Sequence, residues 1–224
     1  MNPEKSSNDE REQRILEVAS ELIAHYGYDK TTVSDIAREA GISKGAIYLH
    51  FDSKDALFEA LLIREMEAYT MRWMQLLEAD ERGGTIGVMY RLILQALQES
   101  PFMTAMFIRD SRVMGSYIRK PNNFFRRQEE HDGRFIFVKM MQNAGVITED
   151  IDTRVISHVM DMLAFGLVSM RDIKNPAHIP ETEALLTGIA EILDRALTPP
   201  DADSEAGKQV IRQLMSTAQA QMNE

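Results

Sequence analysis

The fold of this chain is decided by residues 32–51, whose sequence is TVSDIAREAGISKGAIYLHF. Ala37, Gly41 and Ile47 follow one another at spacings of four and six residues, which is typical of a helix-turn-helix. The alanine lets two helices approach closely, the glycine tolerates the positive φ of the turn, and the isoleucine points back into the core. The other inward positions hold Val33, Ile36 and Ile42. We therefore predict two short helices that cross at a steep angle.

Apolar residues recur with a helical period along the rest of the chain, and alternating strand patterns are nearly absent. We therefore predict an all-α protein with a three-helix helix-turn-helix domain and a larger helical domain. The expected division is a helix-turn-helix domain at 9–70, a larger helical domain at 71–200, and a tail helix at 201–224. Within the larger region, long continuous helices are expected at 102–118 and 122–144.

Composition limits the class of protein. Cysteine is absent, and the five histidines show no metal-ligand spacing, so we expect neither a metal site nor a cofactor. The N-terminus is polar, and no apolar run reaches the roughly 18 residues of a membrane span, so we expect a cytoplasmic protein. Because no nucleophile motif or phosphate-cradling loop appears, we do not expect an enzyme. The net charge of −10 argues against general polyanion binding.

The second helix of the motif is nevertheless suited to DNA. Small residues at its start allow it to enter a major groove: Ser43, Gly45 and Ala46. Lys44 can reach a phosphate or a guanine, and Tyr48 and His50 are expected on the outward side. Lys54 and Thr32 begin the neighbouring helices, where side chains and free N–H groups can hold phosphate. We therefore predict a DNA-reading surface with few cations.

The segment from Ile15 through Leu57 resembles the N-terminal domain of TetR-family repressors. The resemblance is carried by TTVSDIAREAGISKGAIYLHF at 31–51 and by the following SK at 53–54, and it extends over about the first 70 residues. It implies that residues 9–70 form a DNA-binding domain and that residues 71–200 form a domain for effector binding and dimerisation. It also implies a homodimer that binds a palindromic operator and is usually released by a small molecule. By position it implies that DNA is contacted by Thr32, Ser43, Lys44, Gly45, Ala46, Tyr48, His50 and Lys54.

Simpler roles remain open for three of these residues. Tyr48 can be a core aromatic, His50 can only support the end of its helix, and Thr32 can act as a cap through a capping box with Asp35. The acidic balance of the domain also leaves an alternative function open. In that alternative, the chain is a small-molecule-binding or interaction module whose helix-turn-helix is only a scaffold.

Two apolar stripes predict the dimer interface, because the resemblance implies that the last two long helices pair with those of a second copy. They lie on helices expected at 150–173 and 181–197. The interface residues are predicted to be Val155, Val159, Leu163, Gly166, Leu186, Ile189 and Leu193. An ordinary intramolecular core is the alternative for each stripe.

Methionine and phenylalanine are concentrated in the middle of the chain, between residues 102 and 170. Eight of the fifteen methionines lie between residues 103 and 170. Flexible thioethers and aromatic rings suit a pocket for a largely apolar effector, although they also simply fill cores. The predicted pocket residues are Met103, Met106, Phe107, Phe124, Met140, His158, Met162 and Phe165. Partners for a polar or acidic group on the effector are expected among Arg109, Arg112, His131 and His158.

Overall fold

The structure, a computed structural model, describes the backbone of residues 3–129 and 132–222. Within these ranges, the description does not extend to the side chains of 3–7, 128–129, 171–172, 176 and 218–222. Every regular element in the described part of the chain is helical, which confirms the all-α prediction. No helix there is both long enough and apolar enough to cross a membrane. The chain divides into two compact units, which share the long helix α4.

The first unit comprises residues 1–69 and 100–130. Its helices are α1 (Pro3–Tyr26), α2 (Val33–Ala40), α3 (Lys44–Tyr48), the first part of α4 (Lys54–Ala79), α6 (Pro101–Phe107), α7 (Ser111–Met114), a 3-10 helix (Gly115–Arg119) and α8 (Phe124–Glu129). Its core contains an aromatic cluster in which the ring centroid of Phe58 lies 4.9 Å from that of Tyr28 and 4.8 Å from that of Tyr117. Since Tyr117 is far along the chain, this cluster ties the later helices to the N-terminal ones.

The second unit comprises residues 70–99 and 131–224. It contains the rest of α4 with α5 (Ile86–Glu99), α9 (Gly133–Asn143), α10 (Thr153–Ile173), a 3-10 helix (Pro176–His178), α11 (Thr182–Leu197) and α12 (Ser204–Met222). Helix α11 packs along α5, where the carboxylate of Asp194 accepts a hydrogen bond from the Gly87 N–H at 2.7 Å. The buried face of α11 holds Leu186, Ala190, Leu193 and Leu197.

The C-terminal helix α12 is a packed part of the second unit. Its Gly207 lies so close to the Gly84 backbone that a Cβ there would meet the Gly84 carbonyl oxygen at 2.0 Å. The Lys208 ammonium donates to the carbonyl of Asp80 at 2.8 Å, and Arg212 forms a two-pronged pair with Glu78. These contacts hold α12 against the end of α4 and the loop that follows it.

The helix boundaries differ from the predictions in two places. The helix expected at 102–118 is broken, because Arg109 adopts a left-handed φ of 52° and the Asp110 carboxylate caps a new helix. The helix expected at 122–144 is wrong as a single element, because Asp132 caps a separate helix, α9. The packing also divides the chain differently from the sequence-based boundaries: residues 100–130 join the N-terminal unit, and the tail helix joins the second.

Candidate nucleic-acid interface

The helix-turn-helix is fixed by two caps and one glycine. Thr32 and Asp35 form the predicted capping box: the Thr32 hydroxyl accepts from the Asp35 N–H at 3.1 Å, and the Asp35 carboxylate accepts from the Thr32 N–H at 3.1 Å. Gly41 ends α2 with a φ of 70°, where its N–H and that of Ile42 donate to the last carbonyls of the helix. The Ser43 hydroxyl then accepts from the Ala46 N–H at 3.1 Å and starts α3. Local hydrogen bonds therefore set the angle at which α3 leaves α2.

The exposed side of α3 presents a cation beside an aromatic ring. Ile47 is only 1% exposed and anchors the helix, whereas Tyr48 is 45% exposed. The Lys44 ammonium lies 5.9 Å from the centre of the Tyr48 ring. Ser43 and Gly45 are also exposed, and Ala46 is half-buried. This surface offers a charge, a hydroxyl and a flat ring, while its small residues leave room for a groove to approach.

The structure corrects the placement of His50. Its side chain is only 3% exposed and faces α1, where Nδ1 lies 3.5 Å from a carboxylate oxygen of Glu12. The outward position predicted for His50 is therefore wrong, and the alternative role of supporting the helix end describes it better. The reason is that α3 ends at Tyr48, and the turn that follows leaves Leu49 exposed but directs His50 and Phe51 inwards.

Lys54 also has partners within the first unit. Its ammonium donates to the Tyr28 carbonyl at 2.5 Å and lies 3.9 Å from the centre of the Tyr28 ring. Burial lowers the pKa of this lysine, and the nearby carboxylates of Asp29 and Asp55 only partly offset that effect. Of the cations in the predicted contact set, Lys44 is thus the fully solvent-facing one, and Lys54 is held back by Tyr28.

A network of polar groups surrounds Tyr28. The Asp55 carboxylate accepts hydrogen bonds from the Tyr28 hydroxyl and the Lys120 ammonium. Burial alone would raise the pKa of Asp55, but these donors outweigh it, so that pKa lies below its usual value. The Asp29 carboxylate accepts from the hydroxyl and the N–H of Ser116, which lower the pKa of Asp29. The network joins the start of α4 to the segment before α8.

The second unit contains a cavity of about 400 Å³. It is lined by Trp73, Ile86, Met89, Tyr90, Ile93, Gly133, Arg134, Phe137, Met160, Asp161, Ile211, Leu214 and Met215. These residues come from five helices, and the last three belong to α12. Of these lining residues, only Arg134 and Asp161 carry charges, and Arg134 Nε donates to Asp161 Oδ1 at 3.2 Å. The cavity therefore suits an apolar molecule of moderate size.

Residues 15–61 match the family model described as bacterial regulatory proteins, tetR family. This segment of the chain is therefore of the TetR type. It is 28% identical over 164 residues to the HTH-type transcriptional repressor Rv1474c of Mycobacterium tuberculosis, a match that covers 71% of this chain and 81% of that protein. The TetR-family match falls on the helix-turn-helix, so the exposed surface of α3 belongs to the DNA-binding segment of a transcriptional regulator.

Solved structures share the fold of this chain. The regulator FadR from Bacillus subtilis, solved in complex with stearoyl-CoA, superposes with a TM-score of 0.58 at 20% identity, covering 81% of this chain and 96% of its own. NalD, the secondary repressor of the MexAB-OprM multidrug efflux pump in Pseudomonas aeruginosa, gives a TM-score of 0.59 at 18% identity, covering 87% and 99%. The similarity therefore extends through both units and beyond the DNA-binding segment.

Helices α10 and α11 expose several large apolar side chains. Of the predicted interface residues, Val155 and Val159 are exposed, and Leu163, Gly166 and Ile189 are half-buried. The prediction is wrong for Leu186 and Leu193, which are 2% and 4% exposed because α11 packs them into the core beside α5. The predicted interface lacks Ile173 and Ile192, which are 77% and 66% exposed. Only packing distinguishes the two faces of α11, since both are apolar.

The eight residues predicted for the effector pocket do not line the cavity. Met103, Met106 and Phe124 are buried in the first unit, and Phe107 is 37% exposed there. In the second unit, Met140 is half-buried and His158 is exposed, while Met162 and Phe165 belong to the exposed face of α10. Of the expected polar partners, Arg109 and Arg112 lie in the first unit, and His131 lies outside the described residues. The prediction missed Arg134, the arginine on the cavity wall, because local sequence does not indicate which residues converge there.

Proposed function

We propose that this regulator binds a palindromic operator as a homodimer, uses α3 to contact DNA, and is released when a small, largely apolar effector occupies the cavity of the second unit. The observation that carries the proposal is the exposed pair of Lys44 and Tyr48 on a helix anchored by Ile47. A lysine can bind a phosphate or a guanine edge, and a tyrosine can pack on sugar or donate to phosphate. The contacts that we infer for DNA are therefore made by Ser43, Lys44, Gly45, Ala46 and Tyr48, with Thr32 at the rim.

A dimer makes more contacts with DNA than a single α3 can. A single short helix with one solvent-facing cation makes few contacts, whereas two copies arranged around a two-fold axis read two half-sites. The exposed apolar face of α10 and α11 supports this arrangement, because a patch of this kind on a regulator marks a protein interface. A Cβ added to Gly166 or Gly188 would meet no neighbouring atom of the described residues within 4 Å, so these two positions leave open space in which the helices of two copies can approach closely.

The effector acts by shifting a conformational equilibrium. A ligand releases the operator only to the extent that it binds the DNA-free conformation more tightly than the DNA-bound one. The cavity is lined by five helices, so filling it changes the packing of several elements at once. The neighbour crystallised with stearoyl-CoA supports a ligand-binding role for this fold. A similar role for this chain follows from its own apolar cavity.

The DNA contact is tested by fluorescence anisotropy with a duplex from the region upstream of the protein's own gene. Lys44→Ala and Tyr48→Ala should each weaken binding about tenfold, because a single base or phosphate contact contributes about 1–3 kcal/mol. Lys44→Ala should also make operator affinity less sensitive to salt concentration. The change in slope should correspond to the loss of about one phosphate contact for each α3 in the complex. Lys139→Ala and Tyr26→Ala are the matched controls, since both remove exposed residues outside α3. Full operator affinity in a folded Lys44→Ala, Tyr48→Ala double variant would refute the assignment.

A further inference from the structure

We infer that the cavity of the second unit binds an apolar molecule ending in a carboxylate, or a similar anionic group, and that Arg134 binds this anionic end. The inference rests on the proposed function, in which an effector occupies this cavity, and it names the chemical class of that effector. It follows from the hydrogen bonds that the polar atoms of the cavity wall already make. It also follows from the geometry of the single arginine among them.

The apolar part of the ligand is indicated by the walls. The Trp73 indole N–H donates to the Met89 carbonyl at 3.3 Å, and the Tyr90 hydroxyl donates to the Met160 carbonyl. Burial raises the pKa of Tyr90 to about 12, so its hydroxyl stays protonated. Since these donors are already used, a polar group beside them would lose its hydration without gaining a partner. The ligand inside these walls is therefore hydrocarbon or an aromatic ring system.

Size narrows the class further. At the packing density of a protein interior, about 0.75, a cavity of this volume holds a molecule of roughly 300 Å³. That space suits one medium-length acyl chain or one compact ring system. Three wall residues come from α12, so the C-terminal helix helps to set the length of ligand that fits.

The anionic end is indicated by Arg134. Its side chain is 22% exposed, and its guanidinium carbon lies 5.9 Å from the centre of the Tyr90 ring, so packing holds the group in place. Asp161 takes the hydrogen bond from Nε. An arginine bound through Nε still presents the outer edge formed by its two terminal nitrogens, which matches a carboxylate in a two-pronged pair. Asp161 is 52% exposed and more strongly hydrated, so it is the weaker anchor for a ligand of the opposite charge.

Ligand binding at this site can be followed by the intrinsic fluorescence of the protein. Trp73 is the single tryptophan of the protein and lies on the cavity wall, so its fluorescence responds to an occupied cavity. The full-length protein is titrated with dodecanoate, dodecan-1-ol and dodecylamine, which share one chain and differ in their end group, all below their micelle concentrations. We expect dodecanoate to bind about tenfold more tightly than the alcohol, as befits a charge-assisted hydrogen bond, and the amine to bind most weakly.

Variants assign that preference to one side chain. Arg134→Gln should remove the preference for dodecanoate and leave the affinity for dodecan-1-ol within about twofold, while Arg134→Lys should keep part of it because the charge remains. Arg91→Gln is the matched control: Arg91 is 23% exposed and pairs with Asp80 at 3.1 Å, but it does not line the cavity. We expect Arg91→Gln to retain the full preference.

Three outcomes would overturn the inference: no change in Trp73 fluorescence with any probe, equal affinity for the three probes, or a preference for the amine. A preference for dodecanoate that persists in Arg134→Gln would overturn the assignment of the anion site to Arg134. Operator anisotropy measured on the same preparations separates the two hypotheses. If the cavity selects dodecanoate but no operator is bound, the proposed function fails, whereas intact operator binding without ligand binding leaves only the inference refuted.

Discussion

Gly41 in the turn and Gly45 in α3 should respond oppositely to replacement by alanine. Gly41 has a φ of 70°, and a Cβ built on it would find only a terminal nitrogen of Arg14, at 3.8 Å. Because that distance is ordinary van der Waals contact, Gly41→Ala adds conformational strain without a clash. The left-handed conformation costs an alanine about 1–2 kcal/mol. Gly45 lies within α3, where alanine is more favourable than glycine by about 0.5–1 kcal/mol.

The expected free energies of unfolding therefore differ between the two variants by about 2 kcal/mol. Thermal unfolding followed by circular dichroism should show Gly41→Ala below the wild type by several degrees, since about 1 kcal/mol shifts the melting temperature of a chain of this length by roughly 2–4 °C. Gly45→Ala should unfold at or above the wild-type temperature. The order of operator affinity should be reversed when both variants are folded, because the new methyl of Gly45→Ala lies on the exposed side of α3 and obstructs its fit to DNA.

We expect Gly45→Ala to weaken operator binding about tenfold, in line with an overpacking cost of about 1–3 kcal/mol, while Gly41→Ala stays within about twofold. Each variant is thus the control for the other. If Gly41→Ala were as stable as the wild type, the strain assigned to the turn would be wrong. If Gly45→Ala kept full affinity, the start of α3 would not lie against DNA.

Two further predictions concern the interface and acid stability. Phe165→Glu should convert a dimer to monomers in size-exclusion chromatography with light scattering, whereas the similarly exposed Ile136→Glu on α9 should not; a dimer that survives Phe165→Glu would exclude this face of α10. Because hydrogen bonds hold the pKa of Asp29 and Asp55 below their usual values, their stabilising contribution is complete above about pH 4 and is lost as the pH falls through the folded-state pKa. In Asp29→Asn, the melting temperature should fall less between neutral and acidic pH than it does in the wild type. An unchanged pH profile would show that the contacts of Asp29 contribute little to stability.

The sequence predicts the helix-turn-helix of the first unit well because the residues that determine its geometry lie close together in the chain. A cap, a capping-box partner and a turn glycine all act within a few residues of one another, so their effect on backbone geometry can be inferred from spacing. Thr32, Gly41 and Ser43 adopt the conformations that this reasoning expects. The boundaries of α4 also follow from local signals: Ser53 accepts from the Ala56 N–H, and the helix ends at Ala79 before a loop containing two glycines.

Local sequence does not predict which of two apolar helix faces is buried, or which partner a polar side chain contacts. Leu193 and Ile192 are neighbours on α11, yet the first is buried beside α5 and the second is 66% exposed. His50 and Lys54 have the residue types of DNA ligands, but their side chains are used by Glu12 and Tyr28. Sequence spacing cannot choose between such partners, because the choice depends on which distant helix packs against each face.

Local sequence signals therefore suffice for the helix-turn-helix and its caps. Tertiary packing settles that Tyr48 is exposed, which cations of the predicted contact set face solvent, and where an effector would fit. The cavity shows why: its wall runs from Trp73 on α4 to Met215 on α12, with Arg134 between them in the sequence. Such a site exists only after helices far apart in the chain have packed, so no local pattern encodes it.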